Sequence, residues 1–130
     1  TDGRGVAALI KALKRGETTG ILPDQQPRES GGIFAPFMGV QARTMTLLTN
    51  LIARSGCQAL FCAAIREPGG WRLHFLPADE ELYSEDKLVA VGSLNKNVEK
   101  IVALAPEQYQ WEYKRFRAQP DGTDFYANGL

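Results

Sequence analysis

A single histidine, two cysteines and no excess of either charge leave few of the common chemistries open to this 130-residue chain. His74 with Cys57 and Cys62, the cysteines both in one apolar segment, cannot supply the ligands of a tetrahedral metal site. The two cysteines are an odd number of residues apart, so on a strand they face opposite sides and cannot pair. Two buried free thiols, as in a reducing compartment, are expected. Fifteen basic residues balance fifteen acidic ones, which leaves no field to recruit nucleic acid. No apolar run approaches the roughly 20 residues of a membrane-spanning helix, and no stretch reads as a signal peptide. Gly31-Gly32 lacks the pattern of a phosphate-cradling loop, and repeats and low-complexity segments are missing. What is present is apolar mass, 44% of residues, enough for the core of one domain over 1–130 with a loosely ordered tail from about 117.

The hydrophobic pattern sets out the elements. Val6, Leu9, Ile10 and Leu13 recur at helical spacing, with Gly16 placed to cap. Thr18–Leu22 reads as a strand, and Pro23 to about Arg43 as a long loop whose Phe34, Phe37 and Met38 need burial. A helix opening near Thr44 carries Leu47, Leu48, Leu51 and Ile52 and ends at Gly56. Cys57–Ile65 is nearly all apolar and suits a central strand buried on both faces. Glu67-Pro68-Gly69-Gly70 turns the chain into an alternating strand, Trp71–Leu76, as its hairpin partner. Asp79, Glu80, Glu81, Glu85 and Asp86 form a solvated loop leading into a long helix from about Asp86 to Ala105. Pro106 breaks that helix and opens a shorter one through about Phe116.

The chemistry concentrates between Gly20 and Thr46. Ile21-Leu22 ends in Pro23, which cannot donate to a ladder, so Asp24 and Gln25 sit at the carboxyl end of a strand, where α/β sheets place ligands. Phe34-Ala35-Pro36-Phe37-Met38-Gly39 follows, and then Arg43-Thr44-Met45-Thr46. A second distinctive stretch is Ala105-Pro106-Glu107-Gln108-Tyr109-Gln110-Trp111, with Lys114-Arg115-Phe116 and Pro120-Asp121-Gly122 behind it.

These two stretches, in this order, resemble the lipid A late acyltransferases, the lauroyl and myristoyl transferases of the lysophospholipid acyltransferase superfamily. The resemblance covers nearly the whole chain. It implies an α/β fold, the carboxyl-terminal part of an acyltransferase-type αβα sandwich with a mixed sheet and flanking helices. It also implies an activity: a fatty acyl chain passes from acyl carrier protein to a hydroxyl of a lipid A precursor, without a cofactor, at the cytoplasmic face of the inner membrane. In such enzymes a histidine, oriented by an acidic partner in a His-x4-Asp/Glu motif, removes the acceptor proton. No acyl-enzyme is needed, so no nucleophilic serine or cysteine motif is expected. The family carries that motif and a membrane-anchoring helix ahead of its Pro-Asp-Gln segment, so both are expected upstream of Thr1. The alternative is a non-catalytic lipid- or protein-binding domain of the same fold.

On this resemblance Asp24 and Gln25 lie beside the acceptor pocket, Asp24 orienting the acceptor or a neighbouring basic group; a plain Asx-turn is its other use. Arg28 and Arg43 flank the Phe34–Gly39 segment and suit a bisphosphorylated glycolipid through paired hydrogen bonds. Phe34, Pro36, Phe37 and Met38 line an acyl groove or plug the core beneath the loop; Met38 stands where the family more usually has phenylalanine. Trp111, Lys114, Arg115 and Arg117 make a basic aromatic end, read as a packed helix with a solvated basic face, and Glu112-Tyr113 departs from the Leu-His usual there. His74 and Asp79 repeat the catalytic spelling, but after the Pro-Asp-Gln segment and with Pro77 between them, so His74 is expected to be an ordinary strand residue beside Arg72.

Overall fold

Helical spacing at the amino end produces α1 (Gly3–Lys14), which lies against the helix Leu47–Ser55 in the computed structural model of residues 3–127. The class is α/β, with β1 (Gly32–Phe37), β2 (Val40–Met45), α2 (Leu47–Ser55), β3 (Leu60–Glu67), β4 (Gly70–Pro77) and α3 (Lys87–Val102) following in order. The strands form two separate antiparallel hairpins, β1–β2 and β3–β4.

The segment expected to be a long loop is the first hairpin, registered from Gly32↔Met45 to Phe37↔Val40. Its two-residue turn, Met38-Gly39, has positive φ at both positions, 50° and 78°, the mirror-image turn whose twist suits a hairpin. Methionine is an unusual occupant there, which is why the turn cannot be read from the sequence. Alternation then buries Ala35 and Phe37 from β1 and Ala42 and Thr44 from β2. Thr44 is therefore a buried strand residue, not a helix cap; α2 starts after Thr46 and ends on Gly56, whose left-handed φ of 71° lets its N–H reach the Ile52 carbonyl at 2.8 Å. Thr18–Leu22 forms no strand, because no described strand lies alongside to pair it.

The second hairpin runs from Leu60↔Pro77 to Glu67↔Gly70, so the expected pairing holds. The expected central position does not. β3 has one partner, and only one of its faces is covered: Phe61 is in the core while Leu60, Cys62 and Ala64 are exposed. Cys62 is exposed and Cys57 half-buried, so two buried thiols are not found.

α3 is capped by Asp86, whose carboxylate accepts from the N–H groups of Leu88 (2.8 Å) and Val89 (3.3 Å). Its buried face supplies Leu94, Val98 and Val102 to a core shared with Phe37, Ala42, Ile52, Phe61 and Leu82. After Pro106 there is a single 3-10 turn, Pro106–Gln108, in place of a helix to Phe116. The Trp111 indole N–H takes the Pro106 carbonyl at 2.7 Å and the chain continues in turns. Further on, Ala118 bridges Asp124, the Phe125 ring lies 5.7 Å from Phe116, and the Phe116 N–H donates to the Tyr126 hydroxyl.

Candidate functional site

The two distinctive stretches of sequence fold against each other. Phe37, at the end of β1, is stacked by Phe116 at 5.9 Å and met edge-on by Tyr109 at 6.4 Å. The Gln26 N–H donates to the Tyr113 hydroxyl at 2.8 Å, and the Gln119 amide donates to the Gln41 carbonyl at 3.1 Å. Between them lies Arg115, 3% exposed, with its guanidinium 5.6 Å from the Phe37 ring centre. Nη1 donates to the Arg43 carbonyl (2.7 Å) and Nη2 to Thr44 Oγ1 (3.0 Å). Thr44 Oγ1 also accepts from Asn95 Nδ2 at 2.9 Å, and Asn95 Nδ2 reaches the Pro36 carbonyl at the same distance. The hairpin, α3 and the turns after Pro106 thus share one buried polar network.

Among the described residues no carboxylate pairs with Arg115 within 4.0 Å and its Nε has no partner. Burial pushes its pKa below the ordinary guanidinium value, with Tyr109, Tyr113 and Asp24 pulling the other way. The Tyr109 phenol is pushed up to about 12, first by burial and then by the negative charge of the Asp24 carboxylate. Asp24 is half-buried, and its charge acts on two groups from the far end of the chain.

The other residues singled out from sequence divide. Arg43 is half-buried, its side chain 5.1 Å above its cross-strand partner Phe34 and 4.0 Å from Glu29, while its carbonyl faces Arg115. Gln25 and Arg28 are exposed, with Arg28 just ahead of the 3-10 turn Glu29–Gly31. Phe37 is core, whereas Pro36 and Met38 point out to solvent and Phe34 is half-buried. Lys114 and Arg117 are exposed, but Arg115 is not on a solvated basic face, which corrects the expectation for that end. His74 is half-buried opposite Ala63, and the Asp79 carboxylate is held by Lys100 Nζ at 2.6 and 2.7 Å. Arg72, expected beside His74, pairs with Glu67 at 2.6 Å. No group of three or more His, Cys, Asp or Glu suited to a metal lies among the described residues.

The sequence profile of the bacterial lipid A biosynthesis acyltransferases matches residues 2–118, nearly the entire chain and both stretches that meet at Arg115. The chain belongs to the lipid A biosynthesis acyltransferase family. Among relatives, it is 32% identical over 125 residues to the lipid A biosynthesis lauroyltransferase of Escherichia coli, covering 94% of this chain and 41% of that protein. It is 37% identical over 117 residues to the palmitoleoyltransferase of the same organism, covering 88% and 38%. A lipid A biosynthesis acyltransferase of Haemophilus influenzae is 26% identical over 124 residues, covering 94% and 38%. The chain thus spans about two fifths of the length of these acyltransferases. Tyr109 and Tyr113 are not singled out as site residues by the sequence; the signal that they return to the Asp24-Gln25-Gln26 segment is that both stretches carry the family likeness although they lie some eighty residues apart.

Proposed function

We propose that this chain forms the acceptor side of an enzyme that moves a fatty acyl chain from acyl carrier protein to a hydroxyl of a lipid A precursor, at the cytoplasmic face of the inner membrane. The observation that supports this reading best is the meeting of the two family stretches, where the Gln26 N–H donates to the Tyr113 hydroxyl and the Asp24 charge acts on Tyr109 and Arg115. Asp24, half-buried with its charge acting on Tyr109 and Arg115, is read as orienting the acceptor or a neighbouring basic group. Arg28 and Gln25 offer exposed donors, and Arg43 a guanidinium steadied by Phe34, for the phosphates and sugar of the acceptor. On this reading the proton-removing histidine and its acidic partner are other than His74 and Asp79, which is supported by the Asp79 carboxylate being engaged by Lys100 Nζ. This chain by itself is therefore expected to give only the uncatalysed rate with acyl carrier thioester and lipid A precursor.

The test is Asp24→Asn in the full-length enzyme carrying this segment. Amide and carboxylate are nearly isosteric, so packing is kept while charge is lost. A charge-assisted contact is worth about 1.5–3 kcal/mol, or roughly ten- to a hundredfold in turnover. Turnover reduced to that degree with unchanged melting temperature is expected. Near-normal turnover with unchanged melting temperature would remove Asp24 from the site and leave only its turn.

A further inference from the structure

The β3–β4 hairpin leaves one face open, and that face is apolar apart from Arg66, whose guanidinium lies 5.0 Å over the Trp71 ring. Leu60 is 67% exposed, Trp71 62%, Leu73 59% and Phe75 59%, with Cys62 and Ala64 exposed between them. Only the opposite face, through Phe61 and Leu76, reaches the core. Contiguous exposed patches of this kind mark surfaces that another body covers.

The relief of the face points to the kind of body. Register sets small Cys62 opposite Phe75 and small Ala64 opposite Leu73. At these two pairs the small side chain is on β3 and the large one on β4, a short trough beside a ridge, bounded by Leu60 at one end and by Arg66 stacked on Trp71 at the other. Interdigitating protein layers need such relief because interiors pack to crystal-like density; a fluid acyl phase does not. The edge tells the same story in part. The side-chain amide of Gln108 accepts from the Arg66 N–H (2.8 Å) and donates to the Arg66 carbonyl (3.1 Å), pairing with the outer edge of β3 as a neighbouring strand would. The relatives, moreover, hold more than twice the polypeptide that this chain matches.

We propose that the outer face of the β3–β4 hairpin is the seam on which the part of the acyltransferase fold not spanned by this chain packs, as an apolar polypeptide layer. This rests on family membership and not on the reading of the Asp24 cluster, so either can fail alone. Cys62 reports on it directly, since an exposed thiol in the seam must become shielded. The experiment produces this chain, with Cys57→Ser, alone and together with the portion of the Escherichia coli lauroyltransferase that it does not match. Cys62 alkylation and sedimentation are then followed. Alone, the chain should be monomeric with rapid alkylation. With the complementary portion it should form a complex in which alkylation slows at least tenfold. Leu73→Glu and Phe75→Glu should abolish that complex, while Arg54→Glu on α2 should leave it intact; the two glutamates sit at exposed positions, and an unchanged circular dichroism spectrum checks that the fold is kept. Self-association of the chain lost in Leu73→Glu would assign the face to a second copy. Shielding of Cys62 by vesicles of phosphatidylethanolamine and phosphatidylglycerol would assign it to a lipid surface. Either result overturns the proposal, as does no complex, or a complex indifferent to both glutamates.

Discussion

Replacing Thr44 with valine tests the buried network that joins the hairpin to the family's second stretch. Thr44 is fully buried, and its Oγ1 accepts from Arg115 Nη2 (3.0 Å) and Asn95 Nδ2 (2.9 Å). Valine keeps the shape but leaves both donors facing a methyl group. An unsatisfied buried donor costs about 1–3 kcal/mol, more when charged. Two such groups, one of them a guanidinium whose Nε is already unpaired, make about 3–5 kcal/mol on that scale. Whole domains of this size are stable by about 5–15 kcal/mol, so Thr44→Val should remove a large share. Thr44→Ser keeps the hydroxyl and loses one methyl group, which is worth only about 1 kcal/mol. The assay is urea unfolding followed by tryptophan fluorescence, with an unchanged slope confirming that the transition is comparable. Repeating Thr44→Val in an Arg115→Met background removes the charged orphan, so its cost should fall to the Asn95 share, about 1–2 kcal/mol. A valine variant no less stable than the serine variant, or a cost indifferent to Arg115, would refute the network as the link.

Two further outcomes follow from local geometry. Asp86→Ala removes the cap from α3 and should lower stability by about 0.5–2 kcal/mol, with hydrogen exchange at Leu88 and Val89 rising first; a glycine variant that behaves like the alanine one would argue against the cap. Tyr109 holds its proton more tightly folded than unfolded, so its share of stability is complete below pH 10 and is lost as pH rises from 10 to about 12. Asp24→Asn should shift Tyr109 ionisation downward, read as phenolate absorbance against a Tyr109→Phe control, and an unmoved titration would mean that the carboxylate does not face the phenol.

How much of this was legible in the sequence depends on whether a residue's role was local. α3, its start at Asp86 and the β3–β4 pairing follow from helical spacing, a cap and a Pro-Gly-Gly turn, all signals within a few residues. The β1–β2 hairpin is hidden because Met38 occupies a turn position that asparagine or glycine ordinarily announces. Arg115 looks like its exposed neighbours Lys114 and Arg117, and only the carbonyl of Arg43 and the hydroxyl of Thr44, some seventy residues earlier, draw it inside. The apolar run of β3 promised burial on both faces, yet apolarity says only that a face wants cover, not what in this chain provides it. Asp24 was marked by Pro23 and by the family likeness; its partners Tyr109 and Arg115 lie too far along the chain for any spacing rule to find.

The turn at Met38 has a consequence in time. A non-glycine residue in the left-handed region costs about 1–2 kcal/mol, and here the offset comes from Glu99 on α3, whose carboxylate accepts the Met38 N–H at 2.7 Å across 61 positions of sequence. A hairpin closed by asparagine and glycine could zip up as soon as its strands leave the ribosome. This one lacks that head start, because the clamp on its turn is made long after the strands are. Phe37, Thr44 and the carbonyl of Arg43 are therefore expected to be fixed only once α3 and the turns beyond Pro106 are in place, with the surroundings of Asp24 set late in folding.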